Sequence, residues 1–397
     1  MSRNKNRAHV GLVSAVALAA GIGLASNAQA ADLGGNCCAD LEERIAELEA
    51  TTARKGNRKV SLTISGWVAE QVMWWDDGTE SNVYVTGIGT TLSTHFKLTG
   101  QATIAPGWQA GYVIHVEAGT EDPLTNLDQS HDDGGSGVRT HQSYWFINSD
   151  RLGKVSLGLL SSASDNAAIL VDGSGTLVPA NWVLFDNQNF GLRVHGNYTG
   201  ANWGDLANCG SWGSGQLGAS GDCGGFAAPQ NIIRYDSPTF AGFSVSAAWG
   251  EDDMWDIAGR YAGEFNGIKL AVAAAYFNQN ETGTGSGSYW EIGAYVQHVP
   301  TGLFLYGAYG DDLDSAGRYQ SEGDIWYLKA GLRRKWMGLG HTVFYGEYGQ
   351  KNDALDCGVF DCNGSPTGGL ANGSKLKQWG LGVVQEIDAA AMSLWLS

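Results

Sequence analysis

Eight histidines and six cysteines are the side chains of this 397-residue chain best suited to nucleophilic or metal chemistry. A hydrolytic site needs a nucleophile with a histidine base in reach. His95, His115, His141, His195, His298 and His341 are scattered along the chain with no serine or aspartate partner suggested by spacing. No catalytic residue is assigned, and an enzyme is not expected. The cysteines fall as sequence-near pairs: Cys37 with Cys38, Cys209 with Cys223, and Cys357 with Cys362. Neither of the last two pairs has a histidine nearby or completes a four-ligand set, so no metal is expected. Both lie in Gly-, Asn- and Asp-rich stretches and read as disulfide staples of loops. No cofactor is expected either.

The remaining chemistry is charge, and the elements that carry it come from composition and periodicity. The chain has 58 Gly, 15 Trp, 15 Tyr and 12 Phe against 7 Pro, and only 16% of its residues are charged. Glycine costs on the order of 1 kcal/mol at each helix-interior position, which excludes a helical bundle. An apolar share of 43% excludes disorder. Arg3, Lys5 and Arg7, an apolar run from Val10 to Ala25 and the small-residue end Ala28-Gln29-Ala30 make residues 1–30 a cleaved signal peptide. The apolar run is short of the ~20 residues that span a bilayer as a helix. The bulky Asn36 before Cys37 argues against lipidation. Removing the signal takes the formal net charge from −17 to −20, so nucleic acid is not a partner. Export also places the cysteines where disulfides persist.

Residues 31–58 hold a short amphipathic stretch, with Leu41, Ile45 and Leu48 on one face. It reads as a periplasmic helix that either packs against copies of itself as a coiled coil or serves as a solvated linker. From Lys59 onward the period changes to two. About fifteen segments alternate apolar with polar or small residues, and no later run is long enough for a membrane helix. The first, Lys59 to Trp75, falls out of phase at Glu70, which predicts a bulge near Gly66. Short links such as Pro106-Gly107, Glu264 to Gly267 and Met337 to Gly340 alternate with longer polar ones, including Asp76 to Thr90, Thr120 to Thr140 and Lys351 to Lys375. Trp74, Trp75, Trp108, Tyr144, Trp145, Trp249, Trp255, Trp336, Tyr345 and Tyr348 cluster near strand ends. Short turns at one end, long loops at the other and aromatic girdles are the pattern of a transmembrane antiparallel β-barrel. Residues 59–397 are assigned to it.

Strand parity then places the charges. Lys97, Arg234, Arg260, Lys329 and Arg333 all fall opposite the lipid-pointing apolar residues. A basic side chain facing lipid costs about 2–4 kcal/mol at the midplane, so these five belong to a lumen wall.

Three runs carry a resemblance: CCADLEERIAELEATTARKGNRKVSLTISGWV at 37–68, RLGKVSLGLLSSASD at 151–165 and IIRYDSPTFAGFSVSAAWGEDDMWDIAGRYAGEFNG at 232–267. The chain resembles the general porins of alphaproteobacteria from Cys37 almost to its end. The resemblance implies a 16-stranded, water-filled barrel in the outer membrane, assembled as a homotrimer among lipid and lipopolysaccharide. It implies passive diffusion of small hydrophilic solutes and ions. It also implies one long inward loop, which falls here at about 161–230, after a fifth strand at Lys154 to Leu160. Asp165, Asp172, Asp186 and Asp205 are the acids placed on this loop, facing the five basic wall residues across a pore constriction, with Asp222 further along. Opposed charges of this kind orient dipolar solutes; the alternative is that they merely solvate the lumen. A substrate-selective channel and a surface adhesin barrel are the other functional readings. The N-terminal helix is a candidate for contact with peptidoglycan.

The C-terminus departs from the family pattern. Strands run to Gln378–Glu386 as the fourteenth, and Met392 to Ser397 begins a fifteenth, where the sequence stops. An unclosed sheet leaves unpaired edges in lipid. The expectation is a chain lacking its last strand or so, with a miscounted strand or an irregular closure as alternatives.

Overall fold

The computed structural model describes residues 60–397 apart from 89–93, 120–126, 131–136, 183–186, 188, 207–228, 252, 280–285, 317–322 and 353–374. The expected signal peptide, the amphipathic stretch with Leu41, Ile45 and Leu48, and all six cysteines lie outside the described residues.

The strands, in chain order, are β1 (Ser61–Trp67), β2 (Glu70–Asp76), β3 (Ser81–Gly87), β4 (His95–Ala105), β5 (Trp108–Gly119), β6 (Gly137–Ser149), β7 (Gly153–Leu160), β8 (Gly191–Val194), β9 (Asn197–Asn202), β10 (Gln230–Asp236), β11 (Phe243–Gly250), β12 (Trp255–Phe265), β13 (Ile268–Gln279), β14 (Ser286–His298), β15 (Leu303–Ala316), β16 (Asp324–Met337), β17 (Gly340–Asn352), β18 (Lys375–Ile387) and β19 (Met392–Leu396). Fifteen of them form one sheet in the order β1-β4-β5-β6-β7-β10, then in sequence to β19. Each neighbouring pair is antiparallel, as in a meander. The expected fourteenth and fifteenth strands are β18 and β19. Among the described residues β1 and β19 are the two edges of the sheet, which is not closed by a hydrogen-bonded ladder between them.

Alternation decides which face is which. On β16, Leu328 is 49% exposed while its neighbours Tyr327 and Lys329 are 0% and 1% exposed. The same rule exposes Ile64, Phe96, Ile114, Trp145, Val245, Ile257, Leu305, Phe344 and Trp379 on the outer face. So large an apolar band on one side of a sheet needs lipid against it. Trp108, Trp145, Trp249, Trp255, Trp336 and Tyr348 belong to this outer set. Trp75, Tyr345 and Tyr144 do not. Trp75 and Tyr345 are buried, and Tyr144 packs on the inner cluster. Their position near strand ends suggested girdles, but parity turns Tyr345 and Tyr144 inward, and Trp75 lies on β2, outside the large sheet.

The N-terminal reading needs correction. Lys59 to Trp75 is not one bulged strand: β1 pairs with β4 in unbroken register from Ser61 to Trp67, and the chain then leaves the sheet. The phase change at Glu70 marks this break. β2 pairs with β3 as a separate ribbon, so part of the expected Asp76–Thr90 loop is strand. A second ribbon, β8 with β9, lies in the connection between β7 and β10. The ribbons meet in a small core of Met73, Trp75, Tyr84, Leu127 and Phe190, with Trp203 packed against it. Arg193 of β8 ties the two together, reaching Asp77 at 3.0 Å and Glu80. It also donates to Tyr198 Oη at 2.7 Å.

Candidate functional site

The segment after β7 is rich in Ser, Ala and Gly, residues that let backbone carbonyls approach a wall closely. Its contacts reach strands from β10 to β18. Arg234 on β10 donates to the carbonyls of Ser161 and Ser162 at 3.1 and 2.8 Å. Arg260 on β12 donates to Ala163 O at 2.6 Å. Ser164 donates through both its backbone N and its Oγ to Asp256 Oδ2, each at 2.7 Å. Tyr306 on β15 donates to Ala168 O at 2.8 Å. Lys329 on β16 reaches Asp172 Oδ2 and Ala180 O, both at 2.6 Å. Gln378 on β18 donates to Asn181 O at 3.2 Å, and Lys351 on β17 donates to Trp182 O. Residues 161–182 therefore run along the inner wall from β10 to β18. Within this run Ala163, Ala167, Ala168, Ile169, Ala180 and Trp182 are buried.

The wall at β1 and β4–β6 has none of these loop contacts among the described residues, apart from the bond of Gln142 Nε2 to Ser161 Oγ at 3.0 Å. Between it and the loop lies a cavity of about 500 Å³. Asp165 and Asn166 line it from the loop, Trp67, His95, Lys97, His115 and His141 from the near wall, and Arg234, Asp236 and Arg260 from the strands beyond. Asp236 is held by Arg234 at 2.7 Å and Lys154 at 3.5 Å. Asp165 accepts a bond from Asn166 Nδ2 at 2.7 Å. Burial pushes its carboxyl up to about 7, with the Ser161 hydroxyl and the Arg234 and Arg260 charges pulling the other way.

Of the residues expected at a constriction, Lys97, Arg234, Arg260 and Asp165 share this cavity. Lys329 and Asp172 meet elsewhere, as a pair with side chains 0% and 1% exposed. Arg333 is engaged bidentately by Glu386, at 2.8 and 2.9 Å. Asp186, Asp222 and the side chain of Asp205 lie outside the described residues.

Sequence reasoning missed Asp236 and Glu386, which pair with Arg234 and Arg333, Asp256, which holds Ser164, and the loop anchors Tyr306 and Lys351. It weighed the histidines only as bases. His95 and His115 share the lumen parity of Lys97, which was legible. His141 was not: β6 carries one extra residue there, since His115 pairs with Gln142 and Val116 with Thr140. The bulge turns His141 into the lumen beside Gln142. His341, Glu386 and Asp388 bring ligand atoms within 4.8 Å of one another. Arg333 and Lys335 already hold those carboxylates at 2.8 and 2.7 Å, so cations occupy the places a metal would take.

A family model described as Gram-negative porin matches residues 14–392. A loop-deletion mutant of OmpT, an outer-membrane protein of Vibrio cholerae, is similar at 10% identity and TM-score 0.48, over 85% of this chain and 97% of that one. An anion-selective porin from Comamonas acidovorans aligns at 16% identity and TM-score 0.40, over 85% and 99%. OmpF of Salmonella typhi in complex with daunomycin aligns at 10% identity and TM-score 0.48, over 85% and 96%. No curated protein matches.

Proposed function

The chain belongs to the Gram-negative porin family, and from that premise we propose how it conducts. It is an outer-membrane porin, a channel for passive diffusion. Our reading is that small hydrophilic solutes and ions cross through the cavity between residues 161–182 and the β4–β6 wall. The observation that carries this is the fastening of the loop to strands from β10 to β18, beside which lies a cavity lined by charged and polar side chains. Asp165 on the loop and Lys97, Arg234 and Arg260 on the wall set the field in that passage. Lys329 with Asp172 fastens the loop and Arg333 with Glu386 ties β16 to β18, each charge being matched within its own pair.

The subunit assembles as a homotrimer in lipid and lipopolysaccharide and belongs to the alphaproteobacterial branch; the three sequence runs quoted above support this reading. Cys209 with Cys223 and Cys357 with Cys362 staple loops, and the 31–58 stretch reaches toward peptidoglycan. Transport needs no catalysis, because diffusion down a gradient makes or breaks no bond. Planar-bilayer recording on protein extracted from outer membranes tests the proposal. Stepwise openings in groups of three support channel and trimer together; absence of conductance from correctly folded protein refutes the channel.

A further inference from the structure

Four aromatic rings stand in a row on the near wall of the cavity, one from each of β1, β4, β5 and β6. Trp67 meets His95 with ring centroids 4.0 Å apart, His95 meets His115 at 4.3 Å, and His115 meets His141 at 4.8 Å. His115, at the centre, is 5% exposed, and neither of its ring nitrogens has a hydrogen-bond partner among the described residues. Leaving such a group unmatched in a buried place is unfavourable. Its cross-strand partner is Lys97. Among the described residues Lys97 forms no ion pair, whereas the other wall cations of this cavity, Arg234 and Arg260, are spent on Asp236, Ser246 and the loop carbonyls.

An unmatched ammonium and an unmatched imidazole, directly opposed across two strands and both lining a polar cavity, call for one kind of ligand. A divalent metal suits imidazole but is repelled by the adjacent lysine. The nearest carboxylate on this wall, Glu117, is already drawn to Arg139 at 2.7 Å and His141 at 3.6 Å. A negative oxygen, by contrast, accepts from the ammonium and from an imidazole N–H at once. We propose that Lys97 and His115 form a binding subsite within the pore for a small oxyanion, of phosphate or carboxylate type. The subsite rests on the reading of this cavity as the conducting passage, and it makes the channel selective among solutes rather than a plain sieve. His95 and His141 flank His115 and keep its ring on the wall.

The test uses full-length protein in two formats. In bilayers bathed in potassium chloride, inorganic phosphate or succinate added to one side gives a saturable reduction of current, and the acid with the lower half-blocking concentration identifies the source. In detergent, calorimetry records binding of the same anion. Lys97→Met and His115→Leu each raise the half-blocking concentration roughly tenfold, the loss of one charge-assisted bond. Lys97→Arg and His115→Gln, which keep a donor, restore most of it and show that the wall still folds. Block by nickel without block by either anion overturns the proposal, as does anion block unchanged in both disrupting variants. Calorimetric binding without chloride conductance keeps the subsite and removes the channel reading; chloride conductance without anion binding does the reverse.

Discussion

Lys329 Nζ stands 2.6 Å from Asp172 Oδ2, with both side chains almost completely out of solvent. The same ammonium donates to Ala180 O and lies 5.6 Å from the ring centre of Tyr306 and 5.9 Å from that of Tyr345. One wall residue thus holds two points of the loop eight residues apart in sequence. Removing one partner of a buried pair costs about 3–5 kcal/mol, because the other charge is left unmatched. Asp172→Asn and Lys329→Met are each expected to release the middle of the loop, giving larger and noisier single-channel conductance. Changing both residues to leucine removes the orphaned charge, so the double variant is expected to lie nearer the wild type than either single one. Equal conductance in all four proteins would show that this pair does not hold the loop.

Gly293 on β14 makes a second fastening of a different kind. A Cβ there would stand 2.3 Å from Ala168 O and 2.9 Å from Ala168 Cα. Backbone cannot yield as a flexible side chain can, so one methyl group must push the loop off the wall or distort β14. Gly293→Ala is expected to widen the pore and to cost about 1–3 kcal/mol of stability. Conductance and the midpoint of urea unfolding in detergent check the two effects separately. An unchanged protein by both measures would mean the close approach is not kept in the working channel.

The ribbon clamp gives a third expectation. Arg193 joins β8, in the segment that follows the loop, to the β2–β3 turn through Asp77 and Glu80, and its guanidinium lies 4.0 Å over the Tyr198 ring. Arg193→Leu removes every polar bond between the ribbons that this residue makes while leaving the apolar core of Trp75, Tyr84 and Phe190 in place. Limited proteolysis should cut the β8–β9 turn several times faster than in the wild type, with the fifteen-stranded sheet unaffected. Equal cutting rates would mean that the apolar core alone holds the ribbons.

Most of the sheet was readable because a barrel strand has only two environments, and a period of two records them directly. Leu328 against Lys329 is one such case, and the parity of Lys97, Arg234, Arg260 and Arg333 followed from the same rule. The errors came where something other than parity decides. Trp75 has the residue type of a lipid girdle, but it lies on a ribbon outside the large sheet and packs against Phe190 and Trp203. β3 was missed because its ribbon pairs only with β2, so its alternation covers a small local core. The third histidine of the row depends on a bulge, and a single inserted residue in β6 has no signature until the neighbouring strand is known. Charge pairing was hidden for a related reason. Parity shows that Lys329 and Arg333 face inward, but Asp172 is 157 residues from Lys329 and Glu386 is 53 from Arg333, distances over which sequence spacing carries no contact information.

Asp165 adds a pH-dependent prediction, because it lies on the loop and lines the cavity that Lys97, Arg234 and Arg260 also line. Its carboxyl is raised by burial to about 7, against about 3.9 in an unfolded chain. Between those values the folded protein binds the additional proton. The neutral form therefore contributes stability in full below about pH 4, and that contribution is lost as pH rises through about 7. Ionisation also adds a negative charge to the passage over the upper part of the same range. The reversal potential under a potassium chloride gradient is expected to move toward cation preference as pH rises, with a midpoint near 7. Asp165→Asn should remove that step while leaving any contribution from His95, His115 and His141, so the difference between the two titrations isolates the carboxylate. The same variant should melt at a temperature less dependent on pH between about 4 and 7 than the wild type does. A wild-type titration that superimposes on that of Asp165→Asn across this range would mean that Asp165 stays neutral throughout, and that the selectivity of the passage is set from the wall alone.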